Sequence, residues 1–221
     1  MAEDPSRADV RATYERIGSH FSKTREYAWP EVEAFVDDGG DAARALDLGC
    51  GNGRHAELLA DAAAHVVGLD ASRELLGAAS DRLDGVDGIE LLQGDAATLS
   101  LADDTVDLAV YVATLHHLPT AATRRASLDE LARVLRPDAR ALVSAWSTAH
   151  DRFDASPDAE SGFDTTIDWT LPGGRTVPRF YHIYSPPEFE REVAASALSL
   201  DSLEISSGNC YAVVRPEGKR P

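Results

Sequence analysis

The sequence predicts an α/β fold, a mostly parallel sheet with helices on both faces, and three observations carry that prediction. From Ala43 onward, apolar strand candidates alternate with helical stretches, the order that builds a parallel sheet. A glycine-rich run, Asp47-Leu48-Gly49-Cys50-Gly51-Asn52-Gly53, ends the first of these strands and opens the first helix. Acidic residues then close three successive strands, Asp47, Asp70 and Asp95, at the carboxyl ends where open α/β sheets bind their ligands. A chain of 221 residues with 43% hydrophobic content is expected to form one domain, 1–221.

Along the chain, residues 6–28 read as a helix, with Val10, Tyr14, Ile17 and Phe21 three or four apart and Trp29-Pro30 closing it. A short amphipathic piece follows through Phe35, completing an N-terminal cap over 6–36. The core spans 40–146, with strands expected at 45–48, 65–69, 89–93, 106–112 and 141–146 and helices at 54–63, 72–83 and 121–135. Residues 147–170 are polar and acidic, broken by Ser156-Pro157 and Ser161-Gly162, and read as a long substrate loop or lid. Beyond it, a segment 175–184, a helix opened by Pro186-Pro187-Glu188 and two strands, 202–206 and 210–214, are expected, the last two closing the sheet as a hairpin. Residues 215–221 read as a frayed end.

Composition narrows the setting. No apolar run reaches the roughly 18 residues a membrane helix needs, and the first five residues lack a secretory signature, so a cytoplasmic protein is expected. Cys50 and Cys210 are the only cysteines and suggest neither a disulfide framework nor a metal site. The net charge of −17 argues against a nucleic-acid partner, which normally demands a basic face. Its acids are dispersed, however, a lever that halophilic proteins use for solubility, so the acidity reads as habitat more than partner.

The glycine run does not name its ligand by geometry. Residues 51–56 fit the dinucleotide fingerprint G-x-G-x-x-G/A, with Asp70 at about the 20-residue offset of a ribose-binding acid. Electrostatics discriminate: a pyrophosphate at the helix N-terminus is repelled by Asp47, whereas a donor carrying a sulfonium and an ammonium is attracted. S-adenosylmethionine is that donor. Asp70 is then suited to the ribose hydroxyls and Asp95, in Gly94-Asp95-Ala96, to the adenine amino group, with Gly49, Cys50, Gly51, Gly53, Ala71 and Ala96 around them.

These residues, with Leu135-Arg136-Pro137, resemble the class I methyltransferases over about residues 40–146, which implies a Rossmann-like, seven-stranded sheet with a C-terminal antiparallel hairpin. Outside the core, the run Tyr14 to Arg25, Trp29-Pro30, His116-His117, Ala145-Trp146, Arg179 to Tyr184 and Asn209 to Val213 are similar to the eukaryotic tRNA wobble-uridine 5-carboxymethyl methyltransferases. The acidic stretch 147–170 departs from them in length and composition. The resemblance implies methyl-ester formation on 5-carboxymethyluridine at position 34, a tRNA anticodon loop as partner, and a heterodimer with a small zinc-binding activator subunit. A small-molecule methyltransferase and a non-catalytic cofactor-binding subunit are the competing readings.

A carboxylate acceptor is ionised at neutral pH, so positioning matters more than a general base. Arginine is the natural clamp for it. Arg25, His116 and Arg179 are therefore the candidate catalytic residues, one arginine being an equal candidate for the carboxylate of the cofactor's own methionine. Tyr14, His117, Trp146, Tyr181 and His182 are candidates for substrate binding, Trp146 and Tyr181 as platforms for an extruded base. In the family sheet the third strand lies at an edge; here Ile89, Leu91 and Leu92 make it apolar, and it is the expected docking strand for the activator.

Overall fold

A computed structural model of the chain describes residues 5–155 and 159–218. The elements run α1 (Arg7–Ser22), α2 (Pro30–Asp37), β1 (Ala42–Leu48), α3 (Arg54–Ala60), β2 (Ala63–Asp70), α4 (Arg73–Arg82), β3 (Ile89–Gln93) and β4 (Val106–Val112). A 3-10 turn (Leu115–His117), α5 (Ala121–Val134), β5 (Leu135–Trp146), β6 (Phe163–Thr170), β7 (Thr176–Ile183), α6 (Pro186–Ala194), β8 (Leu198–Ser206) and β9 (Asn209–Pro216) follow.

Seven strands form one sheet in the order β3-β2-β1-β4-β5-β9-β8. The first five are parallel, and β9 and β8 add an antiparallel hairpin at one edge, as expected. Because β1 lies between β2 and β4, the order reverses at β1, and a crevice opens above its carboxyl end. One apolar cluster joins Leu46, Tyr111, Leu131 and Phe189, and a second joins Phe35, Leu59, Val66 and Tyr211. Strand β3 stands at the free edge, its Ile89, Leu91 and Leu92 half-buried. Among the described residues no helix is long and apolar enough to cross a membrane.

Several boundaries move for identifiable reasons. Helix α1 opens on a capping box between Ser6 and Asp9 but stops at Ser22, not at residue 28. Carbonyls of the next segment are taken by distant side chains instead: Asn52 Nδ2 donates to Ser22 and Arg25, and Arg82 donates to Arg25 and Glu26. Helix α3 ends at Ala60 because Ala63 already pairs with Ala42 in the sheet. Strand β5 begins at Leu135 rather than 141, with a register shift against β4 that absorbs Pro137, a residue unable to donate to a ladder.

The expected long loop is corrected most. Phe163–Thr170 is strand β6, which pairs antiparallel with β7 in a separate two-stranded sheet. The alternation Phe163, Thr165, Ile167, Trp169 is a period-two strand pattern that the surrounding acids and hydroxyls obscured. Ser156-Pro157 and residues 219–221 of the expected frayed end lie outside the described residues.

Candidate functional site

The crevice is a cavity of about 930 Å³ above the carboxyl ends of β1, β2 and β4, roofed by α1 and flanked by β7. Its floor is the glycine run. Gly49 has φ +75°, and a Cβ added there would stand 2.2 Å from Thr114 Oγ1, so no side chain fits between the loop and the segment that follows β4. Gly51, at φ +55°, differs: an added Cβ would meet nothing within 4 Å, which leaves its backbone open to a ligand. Its N–H donates to Asp70 Oδ2 at 2.9 Å, and Ser72 N–H donates to Asp70 Oδ1 at 2.8 Å. Each carboxylate oxygen keeps a lone pair for a further donor. Cys50, Asp70, Ala71, Asp95 and Ala96 line the cavity with Gly49 and Gly51.

Two expected cofactor residues lie off the wall. Gly53 adopts the left-handed conformation as N-cap of α3, next to Leu83, and does not line the cavity. Asp47 is 1% exposed beneath the loop, and its Oδ2 has no hydrogen-bond partner. Burial, with Asp70 nearby, pushes its pKa up to about 7. Asp95 is more exposed and is covered by Arg7 of α1, a pairing no sequence signal announced.

The opposite wall carries the candidate substrate residues. His116 Nδ1 accepts the Trp146 backbone N–H at 2.9 Å, which assigns the ring proton to Nε2. Burial, with His117 and Arg179 nearby, holds this imidazole well below its usual pKa, so it is neutral. In the other tautomer, His117 donates from Nδ1 to the Phe180 carbonyl at 3.0 Å and accepts the Tyr14 hydroxyl at Nε2, at 2.8 Å. Burial depresses its pKa to about 3.

Arg179 is buried, lines the cavity and contacts no carboxylate among the described residues. Its guanidinium carbon lies 5.0 Å from the Trp169 ring and 5.1 Å from the Tyr181 ring, and its Nε has no hydrogen-bond partner. Arg25 leans over Phe21 at 4.5 Å, and Arg179 lies 5.9 Å from the same ring. Trp146 and Tyr181, ring centroids 5.1 Å apart, complete the wall with His150, and Phe153 packs against Trp146.

Strand parity sorts the rest. Arg179 and Tyr181 share one face of β7, whereas His182 points away from the cavity, which corrects its placement with the substrate residues. Its Nδ1 bonds Asp164 Oδ1 at 2.7 Å and its Nε2 lies 3.3 Å from Glu188 Oε1. Asn52, His55, Trp29 and Thr114 also line the cavity but were missed, and Trp169 was hidden in the misread loop. His55 sits in the first turn of α3, directly after the glycine run, which was the available signal.

The open backbone at Gly51, the carboxylates at Asp70 and Asp95 and the buried acid at Asp47 fit a cationic adenosyl donor better than a pyrophosphate laid against the glycine run. The family described as methyltransferase domain matches residues 46–143. Residues 46–143 thus carry a methyltransferase domain, and the fold and cofactor crevice are those of the class I S-adenosylmethionine-dependent methyltransferases.

Within that class, its sequence is similar to tRNA (carboxymethyluridine(34)-5-O)-methyltransferases. The Arabidopsis thaliana enzyme is 34% identical over 64% of this chain and 33% of its own length. The Saccharomyces cerevisiae enzyme is 27% identical over 81% of the chain and 62% of its own length. The chain thus spans less than two thirds of either relative. Among solved structures, the DhpI–SAH complex superposes with a TM-score of 0.69 at 22% identity, covering 95% of this chain and 96% of that one. A complex of the Haloferax volcanii Trm112 methyltransferase activator with a methyltransferase gives a TM-score of 0.70 at 15% identity, covering 96% and 98%.

Proposed function

We propose that this enzyme methylates the carboxylate of 5-carboxymethyluridine at the tRNA wobble position, forming a methyl ester. One observation carries the reading: Arg179 is a buried cation without a counter-ion, next to a neutral His116 whose Nε2–H is free to donate. An uncompensated buried charge is costly unless a ligand supplies its partner, and a carboxylate is the planar anion a guanidinium fits. The resemblance to carboxymethyluridine methyltransferases supports the same acceptor.

S-adenosylmethionine, when bound, supplies the electrophilic methyl group. Asp70 and Asp95 would hold its ribose and adenine, and Arg25, tied to the glycine run through Asn52, its methionine carboxylate. Arg179 and His116 orient the acceptor carboxylate, which needs no base because it is already ionised. A neutral imidazole suits that task, since it donates a hydrogen bond without giving up a proton. Trp146 and Tyr181 offer rings against which an extruded uracil stacks.

The half-buried edge strand β3 is the proposed docking strand for a small zinc-binding activator subunit, with Ile89, Leu91 and Leu92 at the contact. The solved neighbour that contains an activator supports this partner. The test is transfer of tritiated methyl to bulk tRNA lacking the wobble ester, with and without the activator. Alkali-labile label in tRNA is the expected result; no label in tRNA with either preparation removes the proposal. The net charge of −17 favours a small-molecule acceptor as the second reading, which label on a free carboxylic acid but not on tRNA would establish.

A further inference from the structure

Between α1 and α2, residues 23–29 form an irregular strap beside the cavity, which Arg25 and Trp29 line, while Lys23, Glu26 and Tyr27 are exposed to solvent. The strap is held from below. Asn52 and Arg82 donate to the Arg25 carbonyl, Arg82 also to Glu26, and Arg54 to the Tyr27 carbonyl at 3.3 Å. Three of these four bonds come from arginines, so positive charge collects beneath and along the strap. Glu57 pairs with Arg82, and Glu26 accepts the Tyr27 hydroxyl at 2.8 Å. No carboxylate contacts Lys23, Arg25 or Arg54 among the described residues. Arg54 stacks on Trp29 at 4.7 Å, and its pKa falls to about 10 through burial and the neighbouring Arg25 charge, a mark of crowded cations.

In a chain of net charge −17 such a local excess of positive charge is out of character. At its centre Tyr27 is 74% exposed, the most exposed large apolar side chain described, its hydroxyl tethered by Glu26. An aromatic face flanked by unpaired cations is the arrangement that single-stranded nucleic acid uses: bases stack on the ring and phosphates meet the charges.

We propose that Lys23 and Tyr27 form a second binding site, outside the catalytic cavity, for a single-stranded RNA nucleotide flanking the one that enters it. The ring stacks on the flanking base, and Lys23 neutralises one phosphate of its backbone. The proposal rests on the tRNA reading above and adds where the strand runs: across the strap, next to Arg25 and Arg54. It also reconciles an acidic protein with a polyanionic substrate, because only the strand beside the cavity needs a positive track.

The test is fluorescence anisotropy with a labelled anticodon stem-loop RNA and the full chain, at several salt concentrations. Tyr27→Ala is expected to weaken binding about tenfold, with Tyr27→Phe close to wild type because every base has a face to stack. Lys23→Ala is expected to weaken binding and make the salt dependence shallower by about one in log–log slope. Affinity for S-adenosylhomocysteine, measured by calorimetry, should be unchanged in all three, which confirms that they fold. Wild type that binds the stem-loop, with Tyr27→Ala and Lys23→Ala binding equally well, overturns the site and leaves the tRNA reading standing. Wild type that binds no stem-loop at any salt, with or without the activator subunit, removes the tRNA reading, and this site with it.

Discussion

Replacing Asp47 by asparagine changes one charge at nearly constant shape, at the buried acid beneath the glycine run. The carboxylate is 1% exposed, its Oδ2 has no hydrogen-bond partner, and its pKa is raised from 3.8 to about 7 by burial and by Asp70. At about 1.36 kcal/mol per tenfold, ionising it in the fold costs roughly 4 kcal/mol. The sign follows from proton counting. Between pH 4 and 7 the folded chain holds a proton that the unfolded chain has released, so stability falls as pH rises through that window. The asparagine variant lacks this dependence. Its stability relative to wild type should therefore increase by about 3 kcal/mol from pH 5 to pH 8, read by chemical denaturation at both pH values. A cationic ligand favours the ionised acid, so binding S-adenosylmethionine should release a proton. Wild-type affinity then rises by up to about tenfold per pH unit below pH 7 and levels off above it, whereas the variant stays flat. Calorimetry in two buffers of different ionisation enthalpy counts the proton. Parallel pH profiles for the two proteins, in stability and in affinity, would refute the argument.

The two cavity glycines should separate by phenotype. Gly49→Ala forces a methyl group into Thr114 at positive φ and should cost about 3 kcal/mol or more of stability, seen as a lowered Tm. Gly51→Ala has space, so it should lose about 1 to 2 kcal/mol to backbone strain while losing more in S-adenosylhomocysteine affinity. The two arginines should separate as well. Arg25→Ala is expected to abolish turnover and weaken S-adenosylhomocysteine binding about 10- to 100-fold with folding intact; near-normal activity would remove it from the site. Arg179→Gln should lower kcat/KM at least about 100-fold with S-adenosylhomocysteine affinity unchanged, and a shift in that affinity would assign it to the cofactor. Away from the site, Arg124 is 2% exposed and pairs with Glu192 at 3.0 Å. Arg124→Ala should cost about 3 to 5 kcal/mol in denaturation experiments, and Arg124→Met with Glu192→Met should recover most of it.

Legibility differed by element. The parallel core was readable because its strands and helices are built from local apolar patterns, and the same patterns put Asp47, Asp70 and Asp95 at strand ends. Strand β6 was not, because Thr165 and Thr166 blur its alternation and its partner β7 lies beyond a turn. Helix α1 looked longer than it is because its apolar spacing says nothing of Asn52 and Arg82, which compete for the carbonyls beyond Ser22. Arg25, His116, Arg179, Tyr14, His117, Trp146 and Tyr181, scattered over more than 150 positions of sequence, all line one cavity, and His182 does not.

That contrast returns to the glycine run. Its turn, its positive φ angles and the acid beside it follow from residues adjacent in the chain, and backbone sterics and charge act over that short range. Whether Arg179 meets a counter-ion, which face of β7 carries it, and what holds the strap beside the cavity depend on groups remote in sequence. Register and packing bring those groups together, since a shift of one residue in β7 exchanges Arg179 for Phe180 at the wall. Local chemistry thus names the methyl donor, and long-range packing creates the unpaired cation that points to the acceptor.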